Sequence, residues 1–253
     1  MIRSDFVEVL GLRVHVREAG AGESVLLLHG LGVSGRYFMP LAGLLAARRH
    51  VIVPDLPGWG RSERPPLPLA VGGAAEILGE LLRQRGRGAV AIVANSFGCQ
   101  VALALAKSRP ELVGPLAFIG PTVDPRYRSW PVHVVRLALD TLREPPALWR
   151  ILLADYALMG LRRLVATARV ALADRPEDLV ARIRKPVLVL RGERDAICTP
   201  EWAVELASRA ERGSFAQVAE AAHAAHFSHP LVVARLVETF LEEAPDRLGQ
   251  LDR

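Results

Sequence analysis

The stretch Ala89-Val90-Ala91-Ile92-Val93-Ala94-Asn95-Ser96-Phe97-Gly98 decides how the rest of the chain is read. Ala89–Ala94 is a short, continuous apolar run rich in β-branched residues, the pattern of a strand buried on both faces. Phe97–Ser108 then carries apolar residues at helical spacing. A serine caught between such a strand and such a helix sits on a sharp turn that lifts its hydroxyl out of the sheet. Small residues stand two before and two after it, Ala94 and Gly98, so that the two backbones can pass closely. Glycine is commoner than alanine at the first of these positions, and the extra methyl tightens the packing. Alone, the stretch also fits a serine that merely caps a helix.

Working outward, the same alternation recurs. Phe6–Leu10 and Leu12–Glu18 read as an opening antiparallel hairpin around Gly11. Val25–His29, Val51–Asp55, Leu116–Ile119 and Val187–Arg191 read as further buried strands, with Phe215–Val218 as a weaker last one. Helices are expected at Tyr37–Arg48, Ala70–Arg85, Glu201–Arg209 and Pro230–Leu241. The fold class is therefore α/β, a mostly parallel eight-stranded sheet with helices on both faces. Between Pro121 and Arg184 the rhythm breaks. Three helical segments, Val132–Arg143, Ala147–Leu158 and Leu161–Ala173, follow one another without a strand. The expected division is a core of residues 1–120 and 185–253 with a helical cap of 121–184 over the carboxyl edge of the sheet, where open α/β sheets bind ligands. Helices that simply cover a sheet face are the plainer alternative.

Several residues with chemical potential fall at strand ends. His29-Gly30-Leu31-Gly32 follows the first buried strand, where a backbone amide near Leu31 is placed to stabilise an oxyanion; the amide of Phe97, opening the helix after Ser96, is the natural second donor. Asp195 follows the strand Val187–Leu190, and His223 follows the weak last strand. A serine hydroxyl is a poor nucleophile until an imidazole takes its proton, and a carboxylate must fix that imidazole's tautomer. Ser96, Asp195 and His223 stand in the order Ser, Asp, His at successive strand ends, which is hard to obtain by chance. His29 is expected mainly to hold its loop. His223, His226 and His229 are spaced by three, yet no Glu or Cys completes a zinc pattern, so no metal is expected.

With these residues in place the chain resembles the α/β-hydrolase superfamily, in particular its capped branch of esterases, lactonases and carbon–carbon-bond hydrolases. Asp55-Leu56-Pro57-Gly58-Trp59-Gly60-Arg61-Ser62 is similar to that branch's signature after the fourth strand, which implies a structural rather than catalytic Asp55. In that branch the catalytic histidine stands seven residues before the proline of the last helix, which from Pro230 gives His223, with His226 in the place of a frequent second histidine. The family usually has glycine where Ala222 stands. Some relatives place the acid after the preceding strand, which makes Asp124 the rival to Asp195. The resemblance implies a serine hydrolase forming an acyl-enzyme on Ser96, with no cofactor. A carbon–carbon hydrolase of ring-cleavage products and a non-catalytic ligand binder are the alternatives. His29, Gly30, Gly32, Asn95, Trp130 and Trp149 are expected to face the substrate, a moderately hydrophobic small molecule.

Composition narrows the classes further. The 253 residues are 51% hydrophobic and 23% charged, as in a globular domain. The net charge of +5 comes from arginines spread along the chain, with only Lys107 and Lys185 as lysines, and no basic block predicts nucleic acid. No apolar run approaches the roughly 18 residues of a membrane span, and no secretory leader pattern opens the chain, so a cytoplasmic monomer or homodimer without membrane or nucleic-acid partners is expected. Cys99 and Cys198 are expected to be free thiols.

Overall fold

In the computed structural model, which describes residues 2–86 and 88–244, the chain begins with β1 (Arg3–Val9) and β2 (Leu12–Ala19), paired as an antiparallel hairpin. β3 (Ser24–Leu28), a 3-10 turn at Gly35–Phe38, α1 (Met39–Leu45), β4 (His50–Pro54), α2 (Val71–Arg85), β5 (Val90–Asn95), α3 (Phe97–Ser108) and β6 (Val113–Ile119) follow. Next come α4 (Trp130–Thr141), α5 (Pro146–Met159), α6 (Leu161–Ala173) and α7 (Pro176–Val180), with no strand among them. β7 (Val187–Gly192), α8 (Pro200–Arg209), β8 (Gly213–Val218), α9 (Ala225–Ser228) and α10 (Pro230–Glu243) close the described chain. Residues 245–253, which the sequence assigns to the core, lie outside the described residues.

The eight strands form one sheet in the order β1-β2-β4-β3-β5-β6-β7-β8. β2 meets β4 antiparallel, and every pair from β4 through β8 is parallel. Because strand side chains alternate between faces, Leu26, Leu28, Ile92 and Ala94 join the apolar cluster that includes α2 and α3, while Val25, Leu27 and Val93 join the cluster that includes α1 and α10. Both faces are covered, which is why these strands read as unbroken apolar runs.

The elements differ from the sequence expectation mainly at their ends. The segment expected as one helix from Tyr37 is a 3-10 turn leading into α1, because Ser34 and Gly35 are tied down by side chains of Asp155 and Asp55. The short helices α7 and α9 have too few turns to show a period in the sequence.

Asp55, at the end of β4, joins four segments. Its carboxylate accepts from Arg17 Nη1 at 2.7 Å, His15 Nδ1 at 2.9 Å, the Gly35 amide at 2.8 Å and the Arg61 amide at 3.0 Å. Burial alone would raise this carboxyl, but the hydrogen bonds from His15 and Arg17 outweigh it and hold Asp55 well below the usual carboxylate range. Removing one partner of such a buried set strands the others without compensation. Asp55→Ala should therefore lower unfolding stability by about 3–5 kcal/mol, read as a fall in urea midpoint at unchanged slope; a loss below about 1 kcal/mol would show that water replaces the carboxylate easily.

Candidate active site

Ser96 is the single residue between β5 and α3, and its backbone (φ 55°, ψ −122°) lies outside the regions that side-chain-bearing residues favour. Such a conformation costs roughly 1–3 kcal/mol and persists only where the surroundings enforce it. Here the Ser96 amide donates to Ile119 O on β6 at 3.0 Å, and the Cys99 amide donates to Ser96 O at 3.0 Å. Gly98 is required on the far side of the turn, since a Cβ there would stand 2.5 Å from Leu28 O. The hydroxyl-bearing residue is thereby pushed out at the carboxyl edge of the sheet.

The His29–Gly32 turn lies against it. A Cβ on Gly30 would be 3.1 Å from Ser96 Cβ. His29 is fully buried and bridges two loops: Nδ1–H donates to Gly30 O at 2.8 Å, and Nε2 accepts from the Leu56 amide at 2.8 Å. Burial lowers its pKa despite nearby Asp55, so the ring is held neutral for this bridge. A hydrogen-bond chain runs from the Gly30 amide to Tyr37 Oη (2.6 Å) and from that hydroxyl to Asn95 Oδ1 (2.6 Å). Asn95 Nδ2 continues it to Ile119 O at 2.9 Å and His223 O at 3.2 Å. Two side chains, Tyr37 and Asn95, thus tie the turns that carry residues 30, 96 and 223.

His223 Nδ1–H donates to Asp195 Oδ2 at 2.8 Å, and the other carboxylate oxygen accepts from the amides of Ile197 (2.7 Å) and Cys198 (2.9 Å). Arg191 stitches this loop by donating to the carbonyls of Cys198, Asp195 and Glu193. Gly120 allows the pair to seat, because a Cβ there would be 2.7 Å from His223 Nδ1. His223 Nε2 has no hydrogen-bond partner. Burial pulls the imidazole pKa down, but the Asp195 charge and hydrogen bond, with Asp140 and Glu144 behind them, push it up to about 9.

Ser96, Asn95, Phe97, Leu31 and His223 all line one cavity of about 300 Å³. Its opposite walls come from residues 121–184, among them Trp130, Leu137, Leu148, Leu152 and Leu164. Other expected substrate contacts fall elsewhere. His29, Gly30 and Gly32 are not among the residues that line the cavity, and His29 is used as a loop bridge. Gly32, at φ 85°, is covered by the Tyr156 ring, which a Cβ would meet at 2.1 Å. Trp149 faces outward and donates its Nε1–H to Thr141 O at 2.7 Å. Asp124 is engaged by Arg126 and Thr199 Oγ1 rather than by His223.

The three spaced histidines have three different surroundings. His226 is buried, stacked on Phe38 at 4.1 Å between ring centres and edge-on to Tyr37, and His229 contacts Ser228. Among the described residues no group of three or more His, Cys, Asp or Glu could hold a metal ion, and no helix is long and apolar enough to cross a membrane. Cys99 and Cys198 are free and buried.

The sequence reading missed Tyr37, and it missed a polar group on the cavity wall: His133, Asp140 and Glu144. The spacing 133, 137, 140, 144 is one helical face and was visible, but a run of polar residues on a helix ordinarily marks the side facing water.

The pattern of the Alpha/beta hydrolase family matches residues 25–236. The chain belongs to this family. Among solved structures it is similar to a thermophilic esterase from Thermogutta terrifontis, with a TM-score of 0.82 at 22% identity over 96% of this chain and 99% of that one. It is also similar to the enol-lactonase from Burkholderia xenovorans LB400, with a TM-score of 0.81 at 19% identity over 94% of this chain and 100% of that one. At such identities the likeness speaks for the fold, which is the α/β-hydrolase fold. In sequence it is 33% identical over 144 residues to a 2-hydroxy-6-oxononadienedioate/2-hydroxy-6-oxononatrienedioate hydrolase from Cupriavidus pinatubonensis, covering 53% of this chain and 49% of the relative. The chain spans about a third of the length of the first curated relatives it matches, 33% of one and 36% of another.

The charge around His223 is open to direct measurement. Its imidazole should titrate by NMR well above the ordinary 6.5, near 9, and Asp195→Asn should bring the midpoint down sharply, leaving burial as the dominant influence. A wild-type midpoint at or below 6.5 would show that the pair with Asp195 does not persist in solution.

Proposed function

We propose that this family member is a serine hydrolase that cleaves a carboxylic ester, lactone or thioester of a moderately hydrophobic small molecule. The observation that supports this reading is that Ser96 and His223 line the same cavity, the imidazole tied to Asp195 through one nitrogen and unpartnered at the other. Ser96 Oγ attacks the carbonyl carbon while His223, in the neutral form that is the minor one below its raised pKa, takes its proton on Nε2, and Asp195 stabilises the imidazolium. The amides of Leu31 and Phe97 receive the developing oxyanion; the Phe97 amide opens α3, where the helix supplies it no carbonyl partner. Collapse of the tetrahedral intermediate breaks the bond to the leaving group, which departs with the proton from His223. Water, deprotonated by the same imidazole, then releases the acid and restores Ser96. Residues 121–184 act as a lid that keeps this chemistry in an apolar, water-poor space.

The carbon–carbon hydrolase reading is weaker on one specific ground. The relative of that class named above is named for dioates, which carry two carboxylates. No Arg or Lys lines this cavity among the described residues, whereas Asp140 and Glu144 do. A cavity with two carboxyls and neither of those cations to pair a second substrate carboxylate opposes such a substrate.

A fluorophosphonate probe should label the wild type and leave Ser96→Ala unlabelled; labelling of neither would favour a non-catalytic binding role. Offered p-nitrophenyl acetate, butyrate and octanoate beside a vinylogous diketone, the enzyme should turn over the esters, and turnover of the diketone alone would overturn the reading.

The two neighbouring histidines make a sharper test. His223→Ala should lower kcat by roughly a thousandfold or more. His226→Ala should keep kcat within about tenfold while losing melting temperature, since that ring only fills space against Tyr37 and Phe38. The reverse pattern would transfer the base to residue 226.

A further inference from the structure

Helix α4 carries apolar side chains outward and, beside Trp130, Val134 and Leu137, polar ones into the cavity. Its outer side carries Val132, Val135 and Leu139, exposed by 37%, 58% and 47%, with Leu142 beyond at 73%. Its cavity side carries His133 and Asp140, and Glu144 follows on the same face, its amide still bonded to Asp140 O at 3.1 Å. A surface helix normally turns its charges to water and its valines inward. Folding has instead placed two carboxyls in a mostly apolar cavity, Asp140 3% exposed and Glu144 5% exposed.

Both carboxyls are partly used by the loops that carry the proposed machinery. Asp140 Oδ1 accepts from the Ala196 amide at 3.1 Å, next to Asp195, and Glu144 Oε1 accepts from the Ala224 amide at 2.6 Å, next to His223. Glu144 Oε2, by contrast, is buried without any partner. The nearby His133 leaves its Nδ1 unpartnered as well. A buried carboxyl oxygen with no donor is unfavourable in the empty site and is relieved by a ligand that brings one. Burial also raises Glu144 to about 7 and Asp140 to about 6, against the opposing pull of His223, so both protonate readily in the empty site. The same cavity is lined by the rings of Trp130, Tyr37 and Tyr156, and by no Arg or Lys among the described residues. Acid oxygens and aromatic faces together are the chemistry that holds an ammonium group.

We infer that Asp140 and Glu144 form a subsite for a protonated amine carried on the alcohol portion of the substrate. This rests on the ester-hydrolase reading above for its orientation: the group that His223 protonates as it leaves must lie against His223, and both carboxyls lie along that wall. An anionic alcohol portion is disfavoured there, because it would meet two carboxyls and no Arg or Lys among the described residues.

The test uses two esters of nearly identical shape, 2-(dimethylamino)ethyl butyrate and its neutral isostere 3-methylbutyl butyrate, at a pH where the amine is still protonated. Wild type should favour the amine ester by at least about tenfold in kcat/KM, a modest return for a charge-assisted contact. In Glu144→Gln and Asp140→Asn that ratio should fall toward one; Gln keeps an oxygen for the Ala224 amide, and a ratio cancels any general loss of rate. Equal or better use of the neutral ester by wild type, or a ratio unchanged in both variants, would overturn the inference. Calorimetric binding of the same two esters to Ser96→Ala separates this from the fate of the ester reading. If no ester, p-nitrophenyl butyrate included, is turned over, the ester reading fails. The subsite then stands if the amine ester still binds about tenfold tighter than its isostere and Glu144→Gln in the same background abolishes the difference, and it falls if the two bind alike.

Discussion

β5 must become α3 within one residue, and that requirement shapes everything around it. Ser96 can hold its unfavourable backbone angles only because β6 accepts its amide and because Gly98 leaves room for Leu28 O. The strain is stabilised by the sheet, since β5 is buried between β3 and β6 and cannot relax without breaking their registers. A side chain lifted out at this point has one place to go, the carboxyl edge where three other loops end. Tyr37 and Asn95 then connect those loops, so the positions of Gly30, Ser96 and His223 are not independent.

Environment gives chemically alike groups different charges. His29 is kept neutral by burial and spends both ring nitrogens on loop contacts, while His223, equally enclosed, is raised by Asp195 and keeps Nε2 free. Asp55 is held ionised by His15 and Arg17, whereas Asp140 and Glu144 are pushed toward the neutral form by the apolar cavity they line. The first of each pair supports the fold. His223, Asp140 and Glu144 instead line the cavity.

Legibility in the sequence followed the length scale of each signal. Strands buried on both faces announce themselves through unbroken apolar runs, and Ala94, Ser96 and Gly98 mark the turn between strand and helix. The pairing of His223 with Asp195 was reachable from chain order, and the rejection of Asp55 as the acid from its place in a structural turn. Trp149 and Gly32 do not line the cavity, because residue type does not reveal which way a ring or a loop faces. Trp149 turned outward to bond Thr141 O, and Tyr156 closed over Gly32. Asp140 and Glu144 are not legible as cavity residues because polar residues at helical spacing ordinarily mark the side facing water.

The sequence by itself determined the α/β alternation, the turn that raises Ser96 and the order of the polar residues at the strand ends, because these depend on local periodicity and on steric rules spanning a few residues. Tertiary structure alone decided which of those residues share a cavity, which histidine keeps a free nitrogen and which carboxyls lose water. Desolvation and hydrogen bonding between distant segments set those outcomes, and both depend on neighbours that the chain acquires only on folding.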